Sequence, residues 1–170
     1  RRQRQMCIRD RFMNLYLYNT KGEMIRKLTE NTFVATEILG LDENGRILFM
    51  ATGEDARESH LFSVNLKGKQ QQLTTESAYH NPIIQKGGTY FIDNYNSLDI
   101  PTKSVLKNTM GKSLRILSQA INPFEGSNIR KPEMNQIIGP DGSILYTRTY
   151  KPFNFDPVSY THLRAHETDR

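Results

Sequence analysis

The 170-residue sequence holds one cysteine, Cys7, and no tryptophan. A single thiol excludes an internal disulfide framework and a cysteine-rich zinc site. No apolar run approaches the roughly 18 residues that a membrane-spanning helix needs, so no membrane-spanning segment is expected. No Gly-x-Ser-x-Gly occurs, the strand-to-helix elbow that exposes a nucleophilic serine. Its nearest approach, Glu125-Gly126-Ser127, lacks both the spacing and a flanking strand. Zinc spacings, phosphate-cradling loops and dinucleotide fingerprints are missing too, so neither a cofactor nor a metal is expected. What is present suffices for one small core, because 36% of the residues are hydrophobic.

The net charge of +5 sits at the ends. Residues 1–11 carry five arginines and one aspartate, a net of +4, and residues 158–170 are neutral overall. The body, 12–157, therefore has a net charge of only +1 and no electrostatic footprint for nucleic acid. A basic arm ordinarily suggests a nucleic-acid tail. Here QMCIRDR and VSYTHLRAHETDR resemble translated sequencing-adapter read-through, and both end segments are expected to be non-native. Cys7, His162 and His166 then carry no functional argument.

The remaining chain repeats. Asn14–Thr29 (NLYLYNTKGEMIRKLT) and His60–Thr74 (HLFSVNLKGKQQQLT) align on Gly22 and Gly68, sharing an asparagine before the turn, Lys-Gly within it and Leu-Thr at the close. Ser104–Ser118 is a weaker third copy around Gly111. Glycines 46 and 43 residues apart fit a four-stranded propeller blade of about 40–50 residues. Each copy alternates like a strand and reverses at a glycine that supplies φ > 0. Between the copies, Thr36–Leu41 and Arg46–Thr52 flank Asp42-Glu43-Asn44-Gly45, and Asn81–Gln85 and Thr89–Tyr95 flank Lys86-Gly87-Gly88. Two four-stranded blades are expected at about 34–74 and 79–118, after a half-blade at 12–29. Gln119–Asn128 reads as a short helix or an irregular connection. A last hairpin joins Met134–Ile138 to Ser143–Tyr150 through Gly139-Pro140-Asp141-Gly142.

The expected fold is all-β, an incomplete propeller of about two to three blades, too few to close a ring of four to eight. Its organisation is a propeller region at 12–118, a connection at 119–133 and a final hairpin at 134–157. His60, at a strand start where the first copy has Asn14, reads as a partly exposed structural histidine. His80, before Asn81-Pro82, reads as a turn residue in a connection. Gly53–Glu58 reads as a solvated loop, Gly87-Gly88 as a hairpin turn. Tyr16, Tyr18, Phe62, Tyr90 and Phe91 read as sheet packing.

In this order the segments 14–29, TEILGLDENGRILFMAT (36–52), 60–74, YFIDNYNSLDIP (90–101), Lys131-Pro132-Glu133 and KPFNFDP (151–157) resemble the dipeptidyl peptidase IV family of the prolyl oligopeptidase superfamily. The likeness is collinear over nearly all of 12–157. Asp93–Pro101 resembles that family's D-x-Y-S-S-x-x-x-P element, with Asn96 in place of the first serine. The resemblance implies an eight-bladed propeller followed by an α/β-hydrolase domain whose serine cleaves dipeptides from peptide amino termini. Gly139–Tyr150 is then the first hairpin of that domain, and Lys151–Pro157 its entrance. The Glu pair that holds the substrate amino terminus has no match here, and Ser, Asp and His would lie beyond residue 157. No catalytic residue is therefore assigned, and no substrate-binding one. The chain alone is expected to be inactive and, with open sheet edges, prone to aggregate. The resemblance further implies peptide substrates for the parent enzyme, a hydrolase domain in cis, a propeller that gates the chamber and helps dock a second subunit, and a bacterial periplasmic or cell-envelope location. The alternative is a non-enzymatic propeller that binds a protein or ligand; against it stands 130–157, which has no place in a simple propeller.

Overall fold

The computed structural model describes residues 3–10, 12–122, 124–152 and 154–156, with backbone only for 3–10. Pro157, the segment 158–170 with His162 and His166, and the Cys7 side chain lie outside the described residues. Thirteen strands and no helix make up the described chain, so the fold is all-β. Strands 1–11 belong to one compact unit, ending at Ile121; strands 12 and 13 belong to a second.

The first unit is three antiparallel meanders. Strands β1 (Gln3–Asp10), β2 (Phe12–Tyr18) and β3 (Met24–Lys27) form the first sheet. The second is β4 (Ala35–Leu41), β5 (Ile47–Ala51), β6 (His60–Val64) and β7 (Gln70–Gln72). The third is β8 (Tyr79–Ile84), β9 (Tyr90–Asn96), β10 (Lys103–Asn108) and β11 (Ser113–Gln119). The two four-stranded blades thus fall within two residues of their expected positions. The half-blade is the β2–β3 pair, with β1 added along β2.

One local device makes most of the turns. Asn19, Asp42, Asn65 and Asn108 each accept, through one side-chain oxygen, the backbone N–H groups two and four residues onward, at 2.8–3.1 Å. Such Asx bonds hold the reversal closed before any tertiary contact forms. Three residues after each comes a glycine, and at Gly111 the need is double. Its φ is +85°, and an added Cβ would lie 2.9 Å from the Leu73 carbonyl oxygen. The repeated Leu-Thr has its own purpose. The Thr29 and Thr74 hydroxyls accept the N–H of Leu15 and Leu61 at 2.9 and 3.0 Å, completing the ladder where the short outer strand runs out.

The sheets stack in chain order. Leu15, Leu17 and Leu28 of the first pack on Ile47, Phe49, Phe62 and Val64 of the second. Leu48, Met50, Leu61 and Leu73 on the opposite face pack against Phe91 of the third. The sequence of β5, ILFMA, has no polar residue because both of its faces are covered, and every residue in it is buried. Tyr16, Phe62 and Phe91 are buried as expected of sheet packing, whereas Tyr90 stands exposed at the head of β9.

In the second unit, β12 (Glu133–Ile138) and β13 (Ile144–Thr149) form one hairpin through the expected turn, where the Gly142 N–H donates to the Gly139 carbonyl. Among the described residues of 119–128, Gln119 ends β11 and 124–128 are turns and bends, which resolves their open reading against a helix.

Candidate functional site

The densest polar chemistry lies between the second and third sheets. The connection after β7 carries Glu76, β8 carries His80, β9 carries Asp93 and β10 carries Lys107. The His80 Nδ1 lies 2.9 Å from Asp93 Oδ1, and its Nε2 lies 2.9 Å from the Glu76 main-chain oxygen. The Lys107 ammonium donates to Asp93 at 3.0 Å and to Glu76 at 2.8 Å. The His80 and Asp93 side chains are wholly buried, and Lys107 is nearly so. Tyr95 closes the cluster, its ring 5.0 Å from that of His80 and under the Lys107 ammonium at 5.6 Å.

His80 is therefore not a turn residue. It belongs to β8, and its own N–H donates to the Ser59 carbonyl of the second sheet at 2.9 Å. The reading of His60 also needs correction, since it is buried rather than partly exposed. Its ring is 5.2 Å from that of His80, its Nε2 is 2.8 Å from Glu58, and its Nδ1 is 3.3 Å from Thr74 Oγ1. Thr74–His60–Glu58 has the outline of a nucleophile, a base and an orienting acid. Thr74 is fully buried, and its oxygen already accepts the Leu61 N–H, so no substrate reaches it. Ser77 meets Glu58 rather than an imidazole, and the exposed Ser127 donates to the Phe124 carbonyl.

Ligand atoms of Glu76, His80 and Asp93 lie within 4.8 Å of one another, close enough to share a cation. Lys107 supplies that cation, with its ammonium against both carboxylates. The group is an internal ion cluster that ties four segments across the blade seam. Beside it opens a cleft of about 400 Å³, lined by Phe33, Glu54, Asp55, Glu58, His60 and Ser77 among others. The loop expected to be merely solvated thus forms one wall of a cleft. Within it the Arg57 guanidinium, hydrogen-bonded to Asp55, holds that carboxyl below its ordinary value.

Burial pushes the Glu76 carboxyl up, but the Lys107 ammonium and backbone donors outweigh it and leave it below its ordinary value. Burial pushes the Lys107 ammonium down, and its bonds to Glu76 and Asp93 more than reverse this. A depressed carboxyl stabilises the fold above its unfolded value and loses that contribution as pH falls; a raised ammonium does so below its unfolded value and loses it as pH rises. The urea midpoint of the chain is expected to fall below about pH 5 as Glu76 loses its charge and above about pH 10 as Lys107 does. Glu76→Gln should flatten the acid limb, and an acid limb unchanged in that variant would remove Glu76 from the explanation.

Glu76 and Lys107 were not singled out in the sequence. The available signal was Lys107 itself, because alternation with Val105 puts a lysine on the inward face of a strand.

Comparison with known proteins matches this architecture. The family "Dipeptidyl peptidase IV (DPP IV) N-terminal region" matches residues 2–102. A protein of Ajellomyces dermatitidis described as a probable dipeptidyl-aminopeptidase B is 29% identical over 129 residues, covering 70% of this chain and 14% of the relative. Among solved structures, dipeptidyl peptidase 4 of Porphyromonas gingivalis superposes with a TM-score of 0.81 at 24% identity, over 92% of this chain and 23% of that one. A protein of Bacteroides ovatus described as a dipeptidyl aminopeptidase IV gives 0.79 at 27%, over 91% of this chain and 25% of that one. The chain thus spans a seventh to a quarter of the length of these relatives. With the family matched over more than half of its residues and the stacked four-stranded sheets in place, the chain belongs to the dipeptidyl peptidase IV N-terminal region family.

Proposed function

We propose that this chain is a non-catalytic propeller portion of a dipeptidyl peptidase IV-like serine exopeptidase. Its blades wall the substrate chamber and gate the entry of peptides, and hydrolysis of amino-terminal dipeptides is the work of an α/β-hydrolase domain joined in cis. The family match over 2–102 carries this reading. A bacterial periplasmic or envelope location and a homodimer of the whole enzyme complete the proposal.

The test is to read the source gene beyond the codon for Pro157 and to express the downstream coding sequence joined to this chain. The continuous protein is expected to contain Gly-x-Ser-x-Gly, then Asp and His, and to release p-nitroaniline from Gly-Pro-p-nitroanilide in a reaction blocked by a serine-directed fluorophosphonate. This chain alone should give no turnover. A continuous reading frame without that serine motif would overturn the peptidase reading and leave a propeller that only binds.

A further inference from the structure

The two ends of the sheet stack carry opposite charge. At one end of the first unit lie its tight turns, 19–23, 42–46, 65–69, 85–89 and 108–112. They hold six cations against the carboxylates of Glu23, Asp42 and Glu43, a net of +3. At the other end, the loops 29–34, 52–59, 74–78 and 97–102 hold six carboxylates against Arg57, a net of −5. The body charge of +1 conceals this polarity.

The turn end is built as a row. Arg26 donates to the Lys67 carbonyl at 3.1 Å, and Gln71 to the Met110 carbonyl at 3.2 Å, so each outer turn leans on the sheet before it. The inner turns join the same edge, for Gly87 donates to the Leu41 carbonyl and Arg46 reaches the Thr109 carbonyl. Packed sheets lie about 10 Å apart, near the screening length of about 8–10 Å in physiological salt, so neighbouring tips act together. The carboxylates are engaged. Asp42 is buried and paired with Arg46, Glu43 accepts the Thr89 hydroxyl, and Glu23 accepts the Asn19 amide. Lys21, Lys67, Lys69, Lys86 and Lys112 are exposed, and among the described residues none of the five has a carboxylate partner. Beside them, at the tips, stand Leu66 and Met110, 38% and 58% exposed.

We propose that this turn edge is a docking surface for an anionic lipid bilayer. Unpaired ammonium groups beside exposed aliphatic tips suit phosphate headgroups above and acyl chains just below. Leu66 and Met110 offer no stacking platform of the kind that single-stranded nucleic acid requires. The acidic opposite end is repelled by the same membrane, which fixes the orientation. The chain would rest on the bilayer by its turns, without a spanning segment, and keep the cleft beside His60 away from the lipid.

The test is flotation of the full chain with vesicles of equimolar phosphatidylglycerol and phosphatidylcholine, against phosphatidylcholine alone. Binding is expected only to the anionic vesicles. It should drop at least roughly tenfold when the five lysines are changed to glutamine, with far-UV dichroism confirming that the sheets persist. The arginines of residues 1–11 are the same in both proteins, so undiminished binding by the variant would assign the effect to them and overturn the proposal. A second measurement needs no variant. On anionic vesicles the five turn lysines of the unmodified chain should be protected from acylation while Lys103, at the far end, is not. Equal labelling of both sets overturns the proposal, as does lysine-dependent binding to heparin or duplex DNA without any vesicle binding.

Discussion

Replacing Asp93 by alanine is expected to destabilise the chain by about 3–5 kcal/mol, the cost of leaving a buried charge without its partner. Asp93 is inaccessible and accepts from the His80 ring and the Lys107 ammonium at once. Its removal leaves Lys107, 1% exposed, with Glu76 alone, and the His80 Nδ1 facing a void. Asp93→Asn keeps the shape and removes the charge, so the difference between the two variants separates electrostatics from packing. The decisive comparison is the pair Asp93→Leu and Lys107→Met. Together they should cost well under the sum of the single changes, because a buried ion pair replaced by apolar side chains is often tolerated when a broken one is not. Urea unfolding followed by far-UV dichroism suits a protein without tryptophan. Additive single effects would show that the two residues do not act through each other.

Phe49→Ala should cost a similar amount, about 3–5 kcal/mol, by a different mechanism. Phe49 is fully buried on β5, and its ring stacks on Phe62 at a centroid distance of 5.6 Å, with Phe62 in turn stacked on Phe33 at 5.4 Å. Truncation opens a cavity between the first and second sheets that neither can collapse to fill, because β5 is held on its other face by Leu48 and Met50. Ile25→Ala, at a half-exposed position on β3, is the control and should move the midpoint by no more than about 0.5 kcal/mol. A Phe49→Ala effect as small as the control would mean that the two sheets are not clamped through this ring.

How far the fold can be read from the residues alone depends on the range of the forces involved. The turns were legible because Asn-x-x-Gly closes a hairpin with bonds only two to four residues long, as at Asn65 and Gly68. The blade spacing came with them, since the turns recur with the Leu-Thr that follows the first two outer strands, at 28–29 and 73–74. The place of His80 was not legible. A Pro two residues later reads locally as a turn, yet β8 is an edge strand, where a missing N–H is tolerated. The partners that draw His80 into the sheet, Ser59, Asp93 and Glu76, are brought to it by the fold rather than joined to it by a motif. The same holds for His60, whose burial depends on the wall formed by the connections around Glu58 and Thr74. Lys107 lay in plain view at an inward position, but that it meets two carboxylates is knowledge only tertiary structure supplies.

Because each sheet is a run of consecutive strands, every strand pairing in the first unit joins neighbours in the chain and closes a short loop, and the longer closures of the packing lie between sheets that follow one another in the chain. Short closures cost little entropy, and chains dominated by local pairing fold faster than β-proteins whose strands pair at long range. The order of stacking is also the order of synthesis. As the polypeptide leaves the ribosome, β2 and β3 are complete before β5 emerges, and the outer face of each finished sheet receives the next. Such a stack can grow from its amino-terminal end without waiting for the last strand.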